Sequence, residues 1–138
     1  AGGQPRVVRR VLCSCAWGQE PKLSSGVARV GGDRQVVRNR DSSMVIPPGI
    51  SKRTGLEAAL RLIGELPSLT VAVGDGENDV ALFAVAGVSV AVANAVDVLK
   101  SRADVVLTQP NGQGIAMLAA ALVAGDLSAL TALSPLVG

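Results

Sequence analysis

The sequence predicts an α/β fold: a parallel sheet with helices on both faces, forming a three-layer sandwich. Three observations carry this. Leu69 to Val73 is a nearly continuous apolar run of the kind found in strands buried on both sides. Short apolar runs alternate with helix-period segments from Ser51 to Ala124, which is the spacing of βαβ units joined by right-handed crossovers. The chain has 138 residues, 49% of them apolar, and a formal charge of only +2, which suits one packed domain better than a disordered chain.

The elements follow in order. Gln35–Arg38 and Ser43–Ile46 read as short strands, and Pro47-Pro48-Gly49 forces a turn. Ser51 is the expected N-cap of a helix whose apolar positions Leu56, Ala59, Leu60 and Ile63 follow the i, i+3, i+4, i+7 template, and Pro67 ends it. After the strand Leu69–Val73 come an acidic loop and a helix from about Asn78 to Ala86, with Gly87 as its cap. Val88–Ala93 and Asp104–Leu107 are the next expected strands, and Ala95–Ala103 and Gly114–Ala124 the next helices. Residues 127–138 form a tail. In the first forty residues, Val7–Cys13 and Val27–Val30 are strand candidates, but no period persists there.

Composition narrows the chemistry. Trp17 and Phe83 are the only aromatic residues, so the core must be aliphatic and the stacking surfaces of single-stranded nucleic-acid binders are missing. With no histidine, the chain cannot supply Ser-His-Asp or Cys-His catalysis or His-ligated zinc. Cys13 and Cys15 are too few for a structural zinc site and too close for a disulfide framework, so a reduced, cytoplasmic setting is expected. Residues 1–40 carry eight Lys/Arg against Glu20 and Asp33. Without a binding motif, this basic segment reads as a solvated leader rather than a nucleic-acid arm. The longest apolar stretch, Val80–Ala93, has 14 residues and is broken by Gly87 and Ser89. A bilayer span needs about 20, so no membrane partner is expected.

The acidic loop Gly74-Asp75-Gly76-Glu77-Asn78-Asp79 carries the chemistry. A dinucleotide fingerprint would need glycine where Asp79 stands, and that charge would repel a pyrophosphate. A calcium loop starting at Asp75 would need a carboxylate at its twelfth position, which is Ala86. Two readings stay open. One is a strand-end Mg2+ site, with Asp75 and Asp79 as its metal-holding carboxylates (Asp75 directly, Asp79 directly or from behind) and Asn78 on a phosphate oxygen. The other is an acidic turn in which Asn78 or Asp79 only caps the next helix.

Gly-Asp-Gly-Glu-Asn-Asp after an apolar strand resembles the fourth signature of the haloacid-dehalogenase-like superfamily, most of whose members are magnesium-dependent phosphatases. Pro47-Pro48-Gly49-Ile50-Ser51-Lys52-Arg53-Thr54-Gly55-Leu56 resembles the third signature, in which a lysine at a helix start contacts phosphate and nucleophile. Val90-Ala91-Val92-Ala93-Asn94-Ala95, Lys100-Ser101-Arg102-Ala103-Asp104 and Asn111-Gly112-Gln113-Gly114-Ile115 resemble later segments of sugar-phosphatase-like members. Together the matches span roughly residues 36–126. They imply a Rossmann-like core, Asp75 as metal ligand, and Lys52 as the catalytic, phosphate-binding lysine that offsets charge on the phosphoryl oxygens.

The family's nucleophile segment, an apolar strand followed by Asp-x-Asp-Gly-Thr, has no counterpart. Asp33 is followed two residues later by Gln35, and Asp41 by Ser43. The second signature, a Ser or Thr ending another strand, cannot be placed either. The resemblance therefore implies an incomplete core: residues 1–40 a basic segment left from an inserted cap or disordered, and residues 41–126 the C-terminal half of the core. Because the nucleophile strand lies beside the strand ending at Asp75 in the family, Leu69–Val73 is expected as an open apolar edge prone to self-association. The expected function is the C-terminal part of a phosphatase acting on a small phosphorylated metabolite, inactive or nearly so alone. The alternatives are the phosphorylation domain of a cation-pumping ATPase and a non-catalytic module that pairs its open sheet edge.

Overall fold

The computed structural model describes residues 13–16 and 34–126. The chain divides into two compact units, Ala1–Gly49 and Ile50–Gly138. The expected strands Val7–Cys13 and Val27–Val30 fall outside the described residues, apart from Cys13.

The first unit contains a three-stranded antiparallel sheet, β1 (Cys13–Ala16), β2 (Gln35–Asn39) and β3 (Ser42–Ile46), in the order β1-β3-β2. The hairpin register pairs Gln35 with Ile46 and Asn39 with Ser42. Strand β3 is central, and its alternate residues Ser43 and Val45 are buried.

The second unit is the predicted α/β alternation. Helix α1 (Lys52–Ile63) starts at Ser51 with a reciprocal cap: the Ser51 hydroxyl accepts the Thr54 N–H and the Thr54 hydroxyl accepts the Ser51 N–H. Gly64, in the left-handed region at φ 76°, closes it. Strands β4 (Val71–Gly74), β5 (Val88–Ala91) and β6 (Val105–Val106) form a parallel sheet in the order β4-β5-β6. Short helices α2 (Val80–Phe83) and α3 (Asp97–Lys100) and the longer α4 (Asn111–Ala124) complete the unit. Its core is aliphatic: Val90, Ala91, Val92, Ala95, Leu99, Leu107 and Leu118 are buried together, with Phe83 packed against them.

Several boundaries differ from expectation, each for a local reason. The run Leu69–Val73 begins as a single 3-10 turn over Pro67–Leu69, because proline favours the first position of a helical turn; strand β4 starts at Val71 and Leu69 is 73% exposed. The helix expected to run to Ala86 is only a 3-10 turn, Glu77–Asp79, followed by α2. The Gly87 and Val88 amides donate to the Thr70 carbonyl and draw the chain back into the sheet. Helix α3 starts after Val96 because the Val96 amide donates to the Asp75 carbonyl instead of joining a helix. Strand β6 excludes Asp104, whose carboxylate accepts both the backbone N–H and the hydroxyl of Ser89. In α1, Leu60 is buried as the template requires, but Ile63 is 70% exposed.

Among the described residues β4 pairs only with β5, so its other edge carries no strand. Leu62, Ile63, Leu66 and Leu69, which lead into β4, are each at least 60% exposed. Among the described residues no helix is long and apolar enough to cross a membrane.

Candidate active site

The carboxyl end of β4 delivers the acidic loop, as open parallel sheets deliver their ligand sites. The loop is organised by its last residue. Asp79 is 3% exposed, and its Oδ2 accepts the backbone N–H of Asp75 at 2.9 Å and of Gly76 at 3.1 Å. Its Oδ1 forms an ion pair with Lys52 Nζ, bringing the first turn of α1 to the loop across 27 residues of sequence. Burial opposes ionisation of Asp79, but Lys52 and the two amides outweigh it and hold the carboxyl below its ordinary range.

Gly74 makes this packing possible. A Cβ at that position would lie 2.5 Å from Asp79 Cβ and 2.9 Å from Asp79 Oδ2, closer than atoms tolerate. The apolar strand can therefore pass directly under a buried carboxylate only because residue 74 has no side chain.

Lys52, Asp75 and Asp79 line one cavity of about 260 Å³ with Val73 and Gly74 at the end of β4, Val92 after β5, and the start of α4. Lys52 thus does two things at once: it neutralises a buried carboxylate, and its side chain remains 45% exposed at the cavity. Asn78 lies on the same turn but is not among the residues lining the cavity; its Oδ1 is buried with no hydrogen-bond partner. The four residues singled out from sequence are therefore held together by one loop and one helix start. The α4 side of the cavity, Asn111, Gly112 and Ile115, was not assigned to the site from sequence.

The donor set favours a hard cation that takes few carboxylates. Among the described residues no three His, Cys, Asp or Glu side chains cluster to hold a metal ion. Asp75, a carboxylate-bearing residue, lines the cavity at the strand end, and both oxygens of Asp79 accept hydrogen bonds.

Comparison with known proteins bears on this geometry. The family model of haloacid dehalogenase-like hydrolases matches residues 28–118. A phosphoglycolate phosphatase of Saccharolobus solfataricus is 34% identical over 118 residues, covering 86% of this chain and 49% of that protein. A phosphoglycolate phosphatase of Halorubrum lacusprofundi is 42% identical over 97 residues, covering 70% and 43% respectively. Among solved structures, a haloacid dehalogenase-like hydrolase of Bacteroides thetaiotaomicron superposes with a TM-score of 0.65 at 28% identity, over 80% of this chain and 42% of that one. A subclass IIB sugar phosphatase superposes equally well at 22% identity, which speaks to the fold alone. The chain spans about half the length of the relatives it matches.

Proposed function

From the premise that this chain belongs to the haloacid dehalogenase-like hydrolases, we propose that it is the metal- and phosphate-binding part of a magnesium-dependent phosphomonoester phosphatase. The observation that carries this reading is the shared cavity: a cationic Lys52 and a carboxylate, Asp75, both line one site at a strand end. In this reading Asp75 holds magnesium, which when bound neutralises phosphoryl charge. Lys52 offsets the charge on the phosphoryl oxygens. Asp79 acts behind both, fixing the loop through the Asp75 and Gly76 amides and fixing the ammonium of Lys52. The orphaned Asn78 Oδ1 supports a role for that side chain once a ligand reorganises the loop.

The substrate is a small phosphorylated metabolite. Two relatives that cover much of the chain are named phosphoglycolate phosphatases, which makes a phosphorylated two-carbon acid the first compound to assay. No residue here matches the attacking carboxylate of the family, so the 138-residue chain alone is expected to release no phosphate from p-nitrophenyl phosphate above the buffer rate. A longer polypeptide that includes upstream coding sequence with an apolar strand ending in Asp-x-Asp-Gly is expected to release phosphate and to stop when EDTA is added. Hydrolysis by the 138-residue chain that is lost in Asp75→Asn would overturn the incomplete-site reading. EDTA-resistant hydrolysis by the longer polypeptide would overturn the metal.

The second reading, an interaction module, is favoured by the edge of β4 that carries no strand among the described residues and by the exposed Leu62, Ile63, Leu66 and Leu69 beside it in sequence. The two readings are compatible, since an edge that lacks a strand is also where a missing part of a larger sheet would pair.

A further inference from the structure

The loop after β5 ties the two sides of the cavity together. On one side it holds the acidic loop: the Val92 amide donates to the Gly74 carbonyl at 3.2 Å, and the Val96 amide to the Asp75 carbonyl at 3.0 Å. On the other side it holds the start of α4. The Ala93 amide donates to the Gln109 carbonyl, and Asn94 and Asn111 exchange two hydrogen bonds. Asn94 Nδ2 donates to Asn111 Oδ1 at 2.8 Å, and the Asn111 N–H donates to Asn94 Oδ1 at 2.9 Å.

Asn111 is an unusual place for such a clasp. Its φ is +48°, a left-handed conformation that asparagine tolerates better than most residues with a Cβ. Helix α4 has no side-chain cap of its own, because its N-cap position is Pro110. Three residues on, Gly114 packs so tightly that a Cβ would lie 2.6 Å from the Gln109 carbonyl oxygen. Both asparagines are exposed, so burial does not require the pair. The result is a fixed wall of Asn111, Gly112 and half-exposed Ile115 facing the cavity that Asp75 and Lys52 also line.

We propose that Asn94 is a positioning residue: through Asn111 it sets the α4 wall of the cavity relative to Asp75, and so the fit of the ligand that Asp75 and Lys52 engage. This rests on the reading of the cavity given under Proposed function. Asn94 is not among the residues that line the cavity; it acts by fixing the Asn111 backbone and, through the same loop, the Asp75 carbonyl.

The test uses the full chain as wild type, Asn94→Ala and Asn94→Asp, followed by backbone amide NMR. Two quantities are read: the hydrogen-exchange rate of the Asn111 amide, and the affinity for inorganic phosphate in the presence of MgCl2, taken from the shift of the Gly112 amide. Asn94→Ala is expected to speed Asn111 exchange and to weaken phosphate by about 5-fold each, the scale of one net hydrogen bond, with the urea midpoint nearly unchanged. Asn94→Asp keeps an acceptor for the Asn111 N–H and is expected to restore slow exchange and part of the affinity. A wild-type phosphate response that survives Asn94→Ala unchanged overturns the positioning role alone. A wild-type chain whose Gly112 amide ignores phosphate overturns the cavity reading and this inference with it.

Discussion

Removing the carboxylate of Asp79 is expected to cost more than any other single change in the acidic loop. In Asp79→Ala the Asp75 and Gly76 amides lose a charged acceptor, and bonds of that kind contribute about 1.5–3 kcal/mol each. The Lys52 ion pair adds little, because the lysine side chain is 45% exposed and water takes up the freed ammonium; a pair of that sort counts for less than about 1 kcal/mol. Partial relaxation of the loop offsets some of the loss, so the expected net is about 3 kcal/mol in urea unfolding followed by far-UV circular dichroism. Asp79→Asn keeps an oxygen for the two amides and is expected to lose only about half as much. Gly74→Ala attacks the same contact from the strand side and is expected to cost about 1–3 kcal/mol by overpacking. The pH dependence has a definite sign. The folded-state pKa of Asp79 is lowered, so its contribution is fully present above the unfolded value of about 3.9 and is lost as pH falls through the lower, folded value. The gap between wild type and Asp79→Asn should therefore shrink below about pH 4. A loss under about 1 kcal/mol in Asp79→Ala at pH 7, with the spectrum unchanged, would refute the claim that this carboxylate organises the loop.

The edge of β4 that carries no strand among the described residues makes a prediction about assembly. By size-exclusion chromatography with light scattering, the chain is expected to self-associate as concentration rises, and Leu69→Lys, which places a charge just before the edge strand, is expected to shift it toward monomer. A wild-type chain that stays monomeric throughout would remove self-association from the account.

Much of this was legible in sequence where the signal is local. Ser51 was legible as the N-cap of the first helix, while its reciprocal partner Thr54 came only with the structure. The order of strands and helices from Leu69 to Ala124 followed from periodicity, as did the placement of Asp75 at a strand end. What escaped depends on residues distant in the chain. Asp79 read as a carboxylate holding metal directly or from behind, and the sequence did not show that its oxygens are engaged by Lys52, 27 residues upstream, and by two local amides. Asn94 and Asn111 carry no spacing signal because their pairing exists only once two loops meet at the sheet's end. Ser89 and Asp104 likewise shorten β6 through a side-chain contact that no local pattern announces. Ile63 satisfied the helical template yet stands exposed, because periodicity finds an apolar face without showing that anything covers it.

The central claim is that Asp75, beside Lys52, is a magnesium ligand. Calorimetric titration of the chain with MgCl2 at pH 7 tests it most directly. The account predicts a single saturable site that disappears in Asp75→Asn and is retained in Lys52→Ala. Saturable binding that persists unchanged in Asp75→Asn would contradict it.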